Sequence, residues 1–206
     1  MVAESDGCVV ARRGAGLRAE PRGGVTPLPE RFETDRLLLR PLKAADAPVI
    51  FTRYARDPDV ARYMTWEPHR SVDETATYVA DCIKARPDRD RSYAILPRGD
   101  DRLIGVFELR RMARHRLGFG YALAQMAWGQ GFMTEALTNV VTWAMAQPAI
   151  FRIGDVCDTE NTASARVMEK AGLTREGVLR RWAVHPNLGP EPRDCFSYAR
   201  VKDMVA

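Results

Sequence analysis

No run of about 18 consecutive apolar residues occurs in the sequence, so no segment is suited to cross a bilayer as a helix. Residues 1–30 lack an apolar stretch followed by a small-residue cleavage site, which argues against secretion. Cysteine is scarce: Cys8, Cys82, Cys157 and Cys195 are far apart, and no two have metal-ligand spacing. Reduced thiols, a cytoplasmic location and no metal are therefore expected. A concentrated patch of positive charge is also missing. The formal charge is +4 and the pI about 9.0. Close pairs such as Arg110-Arg111 and Arg180-Arg181 do not make the basic cluster that nucleic-acid binding needs. Two nucleotide signatures are absent as well. Gly129 and Gly131 are not followed by the third glycine of a dinucleotide fingerprint, and no Gly-Lys-Ser/Thr occurs.

What is present suits one domain with a sizeable core: 206 residues, 46% hydrophobic and 28% charged. Residues 1–30 carry Gly7, Gly14, Gly16, Gly23, Gly24 and three prolines without sustained periodicity, so they read as a disordered tail. The domain is expected over residues 31–206.

Alternation and turn signals predict strands at Arg36–Leu42, Arg91–Pro97, Arg102–Arg111 and Arg116–Leu123. Gly99-Asp100 makes one hairpin turn and Ala113-Arg114-His115 the next connection. Helices are expected at Ala44–Arg56 and, briefly, Asp57–Tyr63. Another opens on the capping box Ser71 to Glu74 and stops before Pro87. Thr134–Gln147 places Ala136, Leu137, Val140, Val141 and Ala144 on one helical face. A strand at Phe151–Cys157 follows, then a helix at Thr162–Ala171 closed by Gly172. Two strands, near Arg175–His185 and Arg193–Val201, finish the chain. Strand, helix and strand over residues 116–157 form a unit that requires a parallel pair. The flanking hairpins are antiparallel. The fold class is thus α/β, a mixed and mostly antiparallel sheet of about seven strands with helices on both faces.

One segment is suited to hold an anion. In Trp128-Gly129-Gln130-Gly131-Phe132-Met133, two glycines stand just before a helix. They let the backbone approach a ligand closely, and the free N–H groups of the first helical turn then point at it. A pyrophosphate fits such a nest.

Two longer stretches, Trp128 to Leu137 (WGQGFMTEAL) and Asn161 to Leu173 (NTASARVMEKAGL), lie about 30 residues apart. With Arg36–Pro41 (RLLLRP) and Arg175–Arg180 (REGVLR), they resemble the GNAT N-acetyltransferase superfamily, in particular its RimJ/RimL type, which acetylates ribosomal-protein N-termini. The resemblance implies an acetyl-CoA-dependent transfer to a primary amine by direct attack in a ternary complex. It assigns the coenzyme A pyrophosphate to the backbone of Gly129, Gln130, Gly131, Phe132, Met133 and Thr134. It assigns the thioester carbonyl to a backbone N–H near Leu123. The pantetheine arm belongs between the strand ending at Leu123 and the next one. Asn161 matches a position near the pantetheine or acceptor, and Ser164 one proposed to protonate the leaving thiolate. Partners implied are an amine-bearing protein N-terminus or small molecule, with neither nucleic acid nor membrane, in a monomer or homodimer. Acetylation of an antibiotic, polyamine or amino acid is a second reading, and a non-catalytic coenzyme A-binding module a third.

The chain departs from the family at three positions. Trp128 stands where Gln or Arg is common, Met168 where a tyrosine acid is common, and Gly118 where the closer type often has Glu. A frequent base is thus missing. Plainer roles also fit several residues. Asn161 is suited to cap its helix, Ser164 to pack inward beside Met168 and Ala171, and Thr134 and Glu135 to cap without touching ligand. Glu108 alternates within its strand, facing either acceptor or solvent, solvent being the simpler expectation. His185 lies in the connection that, by the resemblance, borders the acceptor site, which makes it a candidate substrate contact.

Overall fold

The computed structural model describes residues 27–202. Its strands are β1 (Phe32–Glu33), β2 (Leu37–Pro41), β3 (Asp90–Pro97), β4 (Gly105–Ala113), β5 (Arg116–Leu123), β6 (Arg152–Asp158), β7 (Thr174–Val184) and β8 (Pro192–Val201). They join in one sheet ordered β1-β2-β3-β4-β5-β6-β8-β7, in which β5 and β6 are parallel and the other neighbours antiparallel. The mixed, mostly antiparallel sheet is as expected. The eighth strand is β1, two residues long and too short to leave a periodic signal.

The helices are α1 (Ala47–Ile50), α2 (Pro58–Ala61), α3 (Val72–Lys84), α4 (Phe132–Ala146) and α5 (Thr162–Lys170). The single helix expected over residues 44–56 is instead a 3-10 turn at Ala44–Asp46, then α1, then a π turn at Phe51–Ala55. Pro48 removes a backbone donor from this segment. The Thr52 hydroxyl also donates back to the Pro48 carbonyl at 2.9 Å, which competes with the regular ladder. At α3 the Ser71 hydroxyl caps Glu74 N–H as predicted, at 3.3 Å. The Glu74 carboxylate accepts from Arg70 N–H, rather than from that of Ser71.

The sheet has a helical layer on each face. On one side Leu39, Phe107, Leu109 and Phe119 pack under Leu137, Val140 and Ala144 of α4 and Met168 of α5. On the other, Ala94, Leu96 and Val106 meet Ile50, Tyr54, Val60 and Val79. Leu28 is 2% exposed and belongs to the first core. The Tyr93 hydroxyl donates to the Pro29 carbonyl at 2.6 Å. Packing therefore begins ahead of residue 31. The expectation for residues 1–26 lies outside the described residues.

Candidate active site

The site is built where β5 and β6 part. They pair at Arg116↔Arg152 and Leu117↔Ile153, after which β6 follows β8 along its whole length. The parting has a visible cause. Phe119 N–H donates to Asp155 Oδ2 at 3.0 Å, and the Phe119 carbonyl accepts from Arg110 at 2.6 Å. A side chain from β6 and another from β4 thus satisfy the peptide groups that a continued ladder would have used. Arg110 also bonds Asp155 at 2.5 Å, which locks the wedge. By the alternation of the strand, the N–H groups of Tyr121 and Leu123 point to the same side as that of Phe119, into the gap.

At the mouth of the gap the chain makes its turn. A 3-10 turn at Gln125–Ala127 leads to Gly129 and Gly131, both in the left-handed region with φ of 73° and 78°. Glycine takes that conformation without strain. A Cβ on Gly129 would meet nothing within 4 Å, so the space beside the turn is open. Gly131 caps α4, and the first regular bond of that helix runs from Glu135 N–H to Gly131 at 3.0 Å. The N–H groups of Phe132, Met133 and Thr134 have no partner within the helix. The Met133 side chain is in the core, so only its backbone is available to a ligand. Gln130 folds back, its amide donating to the Met126 carbonyl at 2.8 Å. Trp128 donates its indole N–H to the Leu123 carbonyl at 2.7 Å, which fixes the peptide at the end of β5.

The turn is held from behind. Glu135 accepts from the Thr34 hydroxyl at 2.5 Å and from Arg36 Nε at 2.6 Å. Arg36 reaches the Gln130 carbonyl at 3.1 Å, and its guanidinium lies 4.7 Å from the centre of the Phe132 ring. Glu135 therefore joins α4 to the β1–β2 turn, a role not legible from its place in the sequence. Burial pushes its carboxyl up, but hydrogen bonds from Thr34 and Arg36 outweigh this and hold it below the ordinary value.

Across the gap, Asn161 caps α5 by accepting Ser164 N–H at 3.1 Å. The capping role expected for Asn161 is thus present. Ser164 Oγ lies 2.8 Å from the Tyr121 hydroxyl. Tyr121 stacks on Phe119, with ring planes 8° apart. Met168 is fully buried in the core. Burial pushes the Cys157 thiol up to about 12, so it is a poor nucleophile at neutral pH.

The loop between β7 and β8 docks on the end of α2 and the segment that follows it. Asn187, between β7 and β8, donates to the carbonyls of Ala61 at 2.7 Å and Trp66 at 2.8 Å. His185 is 5% exposed and its Nε2 lies 3.6 Å from Asp158. It is enclosed rather than presented to an acceptor. Glu108 does not face open solvent either: its side chain is 21% exposed, beside Arg110. In the β4–β5 register it stands opposite Gly120. That pairing was the available signal, because two glycines across from Glu108 and Arg110 leave room above β5.

Comparison with known proteins gives matching results. A family model described as an acetyltransferase (GNAT) domain matches residues 36–174. An uncharacterized N-acetyltransferase of Bacillus subtilis, YoaA, is 30% identical over 175 residues, which is 84% of this chain and 98% of the relative. The [ribosomal protein uS5]-alanine N-acetyltransferase of Escherichia coli is 26% identical over 162 residues, 73% of this chain and 81% of the relative. A solved structure of RimL, a ribosomal L7/L12 α-N-protein acetyltransferase in complex with coenzyme A, has the same fold. Its TM-score is 0.70 at 21% identity, covering 85% of this chain and 98% of that one.

Proposed function

The chain belongs to the GNAT acetyltransferase family, and from that premise we propose that it acetylates the α-amine at a peptide N-terminus. The transfer itself, from acetyl-CoA to an amine, goes with the family. The observation that carries the geometric side of the proposal is the parting of β5 and β6 beside the turn at Gly129–Gly131. The residues suit the substrate. The open turn and the unpaired N–H groups of Phe132, Met133 and Thr134 would hold the pyrophosphate, and the gap would take the pantetheine arm. The N–H of Leu123 would polarise the thioester carbonyl, an oxyanion-type contribution worth about 10²–10³-fold. Ser164, whose Oγ meets the Tyr121 hydroxyl, and Asn161, which caps the same helix, would form the opposite wall.

Two considerations support an α-amine. A relative over most of the chain is named for acetylating a ribosomal-protein alanine. An α-amine is also easier to deprotonate. With a pKa near 8, about 10% of it is neutral at pH 7, against less than about 0.1% of a lysine amine. Neutral amine attacks the thioester carbon directly, so no covalent enzyme intermediate is needed, in keeping with the raised Cys157 thiol. No helix among the described residues is long and apolar enough to cross a membrane, and a cytoplasmic site of action completes the proposal.

The test is thiol release from acetyl-CoA with a panel of free-N-terminus peptides, N-blocked lysine peptides, polyamines and amino acids. The proposal expects the free-N-terminus peptides to be fastest. A small amine that outpaces every peptide would replace it with a small-molecule acceptor.

A further inference from the structure

The wedge that parts the strands contains one carboxylate that the wedge itself does not need. Both oxygens of Asp155 are committed to backbone, Oδ2 to Phe119 N–H at 3.0 Å and Oδ1 to Val156 N–H at 2.9 Å. Arg110 is committed to Phe119 and Asp155. Glu108 joins this group only from the side, with Oε2 3.1 Å from Arg110 NH1.

Its position is set by absent side chains. In the hairpin register Glu108 faces Gly120 and Arg110 faces Gly118. A Cβ on Gly120 would stand 3.4 Å from Arg110 NH1 and 3.7 Å from Glu108 Oε2. Both charged groups therefore lie over the bare backbone of β5, one residue from Tyr121, whose N–H points into the gap. Glu108 and Asp155 both sit against the one guanidinium of Arg110, so a substrate ammonium would meet carboxylate there as well as cation.

We propose that Glu108 is the base that takes the proton from the acceptor amine, supplying from β4 the carboxylate that position 118 of β5 lacks. This rests on the reading that the chain acetylates an amine. The substrate R–NH3+ gives one proton to the Glu108 carboxylate, which passes it to solvent. The resulting R–NH2 attacks the thioester carbon. A C–N bond forms, the C–S bond breaks, and the surplus proton on nitrogen ends on the departing sulfur. Burial raises the Glu108 carboxyl above its ordinary value; Asp90 and Asp155 push the same way, and Arg110 pulls back. A raised carboxylate is better matched to an ammonium than an ordinary one. Arg110 and Asp155 are positioning residues in this scheme.

Glu108→Gln tests the proposal, because the amide keeps the size of the side chain and a hydrogen-bonding oxygen for Arg110. The fastest acceptor of the unsubstituted protein is used, and coenzyme A affinity and thermal midpoint are measured alongside. The expected result is a fall in kcat/KM for the amine of about 10²-fold or more at pH 7. Coenzyme A affinity should be unchanged, and the deficit should shrink towards pH 9, where the amine loses its proton unaided. Glu108→Asp, which retains a carboxylate, should keep more activity than Glu108→Gln. A Glu108→Gln protein within about threefold of the original at pH 7 would overturn the role of Glu108 and leave acetyl transfer intact. So would a deficit that is constant across pH and accompanied by weaker coenzyme A binding, since that marks a structural part. Absence of transfer to any amine by the unsubstituted protein would instead overturn the underlying reading, and this role with it.

Discussion

The Tyr121 hydroxyl and Ser164 Oγ lie 2.8 Å apart, which ties β5 to the first turn of α5 across the gap between β5 and β6. Burial holds the Tyr121 phenol well above its ordinary value, so it stays protonated throughout the neutral range. The pair fixes where the Ser164 hydroxyl points. If Ser164 delivers the proton to the leaving sulfur, Ser164→Ala should lower kcat by about 10²-fold with little change in KM for acetyl-CoA. Tyr121→Phe keeps the serine but frees it, so its loss should be smaller. Steady-state kinetics on both variants decides. A Ser164→Ala loss below about threefold would reduce the pair to packing.

The pyrophosphate assignment predicts a failure of binding rather than of rate. Gly131→Asp places a Cβ where φ is 78° and a carboxylate beside the nest. Left-handed backbone costs a non-glycine residue about 1–2 kcal/mol, and charge repulsion adds to this. Coenzyme A affinity by calorimetry should fall at least tenfold, and Gly131→Ala should fall less. Unchanged affinity in Gly131→Asp would move the pyrophosphate elsewhere.

Much of this was legible beforehand, and the limits have physical causes. The paired glycines, the helix faces of α4 and α5, and the parallel pair announced themselves through spacing, which depends on nearby residues. The Arg36–Glu135 clamp and the Arg110–Asp155 wedge link residues 99 and 45 positions apart, and no local pattern encodes such contacts. Glu108 was expected to face solvent because strand alternation names two faces without saying which is covered. The burial of His185 depends on how the loop between β7 and β8 docks through Asn187.

The clamp makes a statement about acid. The Glu135 carboxyl is held below its ordinary value, so its contribution to stability is complete above its unfolded pKa of about 4.3 and is lost as pH falls through the lower folded value. Glu108 and Asp155 are shifted upward and act in the opposite sense, so a comparison of two proteins is the right readout. Denaturant unfolding between about pH 5 and 3 should show a shallower loss of stability in Glu135→Gln than in the original. Equal slopes would mean that the clamp does not hold the charged form.

Among the described residues, Leu28 is where packing against the core begins. A chain beginning at Pro27 should melt close to the full chain, whereas one beginning at Arg31 loses a buried leucine worth about 1.5–3 kcal/mol. At about 2–4 °C per kcal/mol for a chain of this size, the second should melt roughly 3–12 °C lower. Equal midpoints for the two truncated chains would show that the contacts of Leu28 add nothing.

The central claim is that acetyl-CoA serves here to acetylate an α-amine. The most direct measurement is a competition within one molecule. A peptide with a free N-terminus and an internal lysine is incubated with acetyl-CoA and the protein at pH 7, and the first acetyl group is located by fragmentation mass spectrometry. The account predicts acetylation at the N-terminus, with the lysine lagging by about 10²-fold, the ratio of the two neutral fractions. Acetyl groups appearing first on the lysine would contradict it.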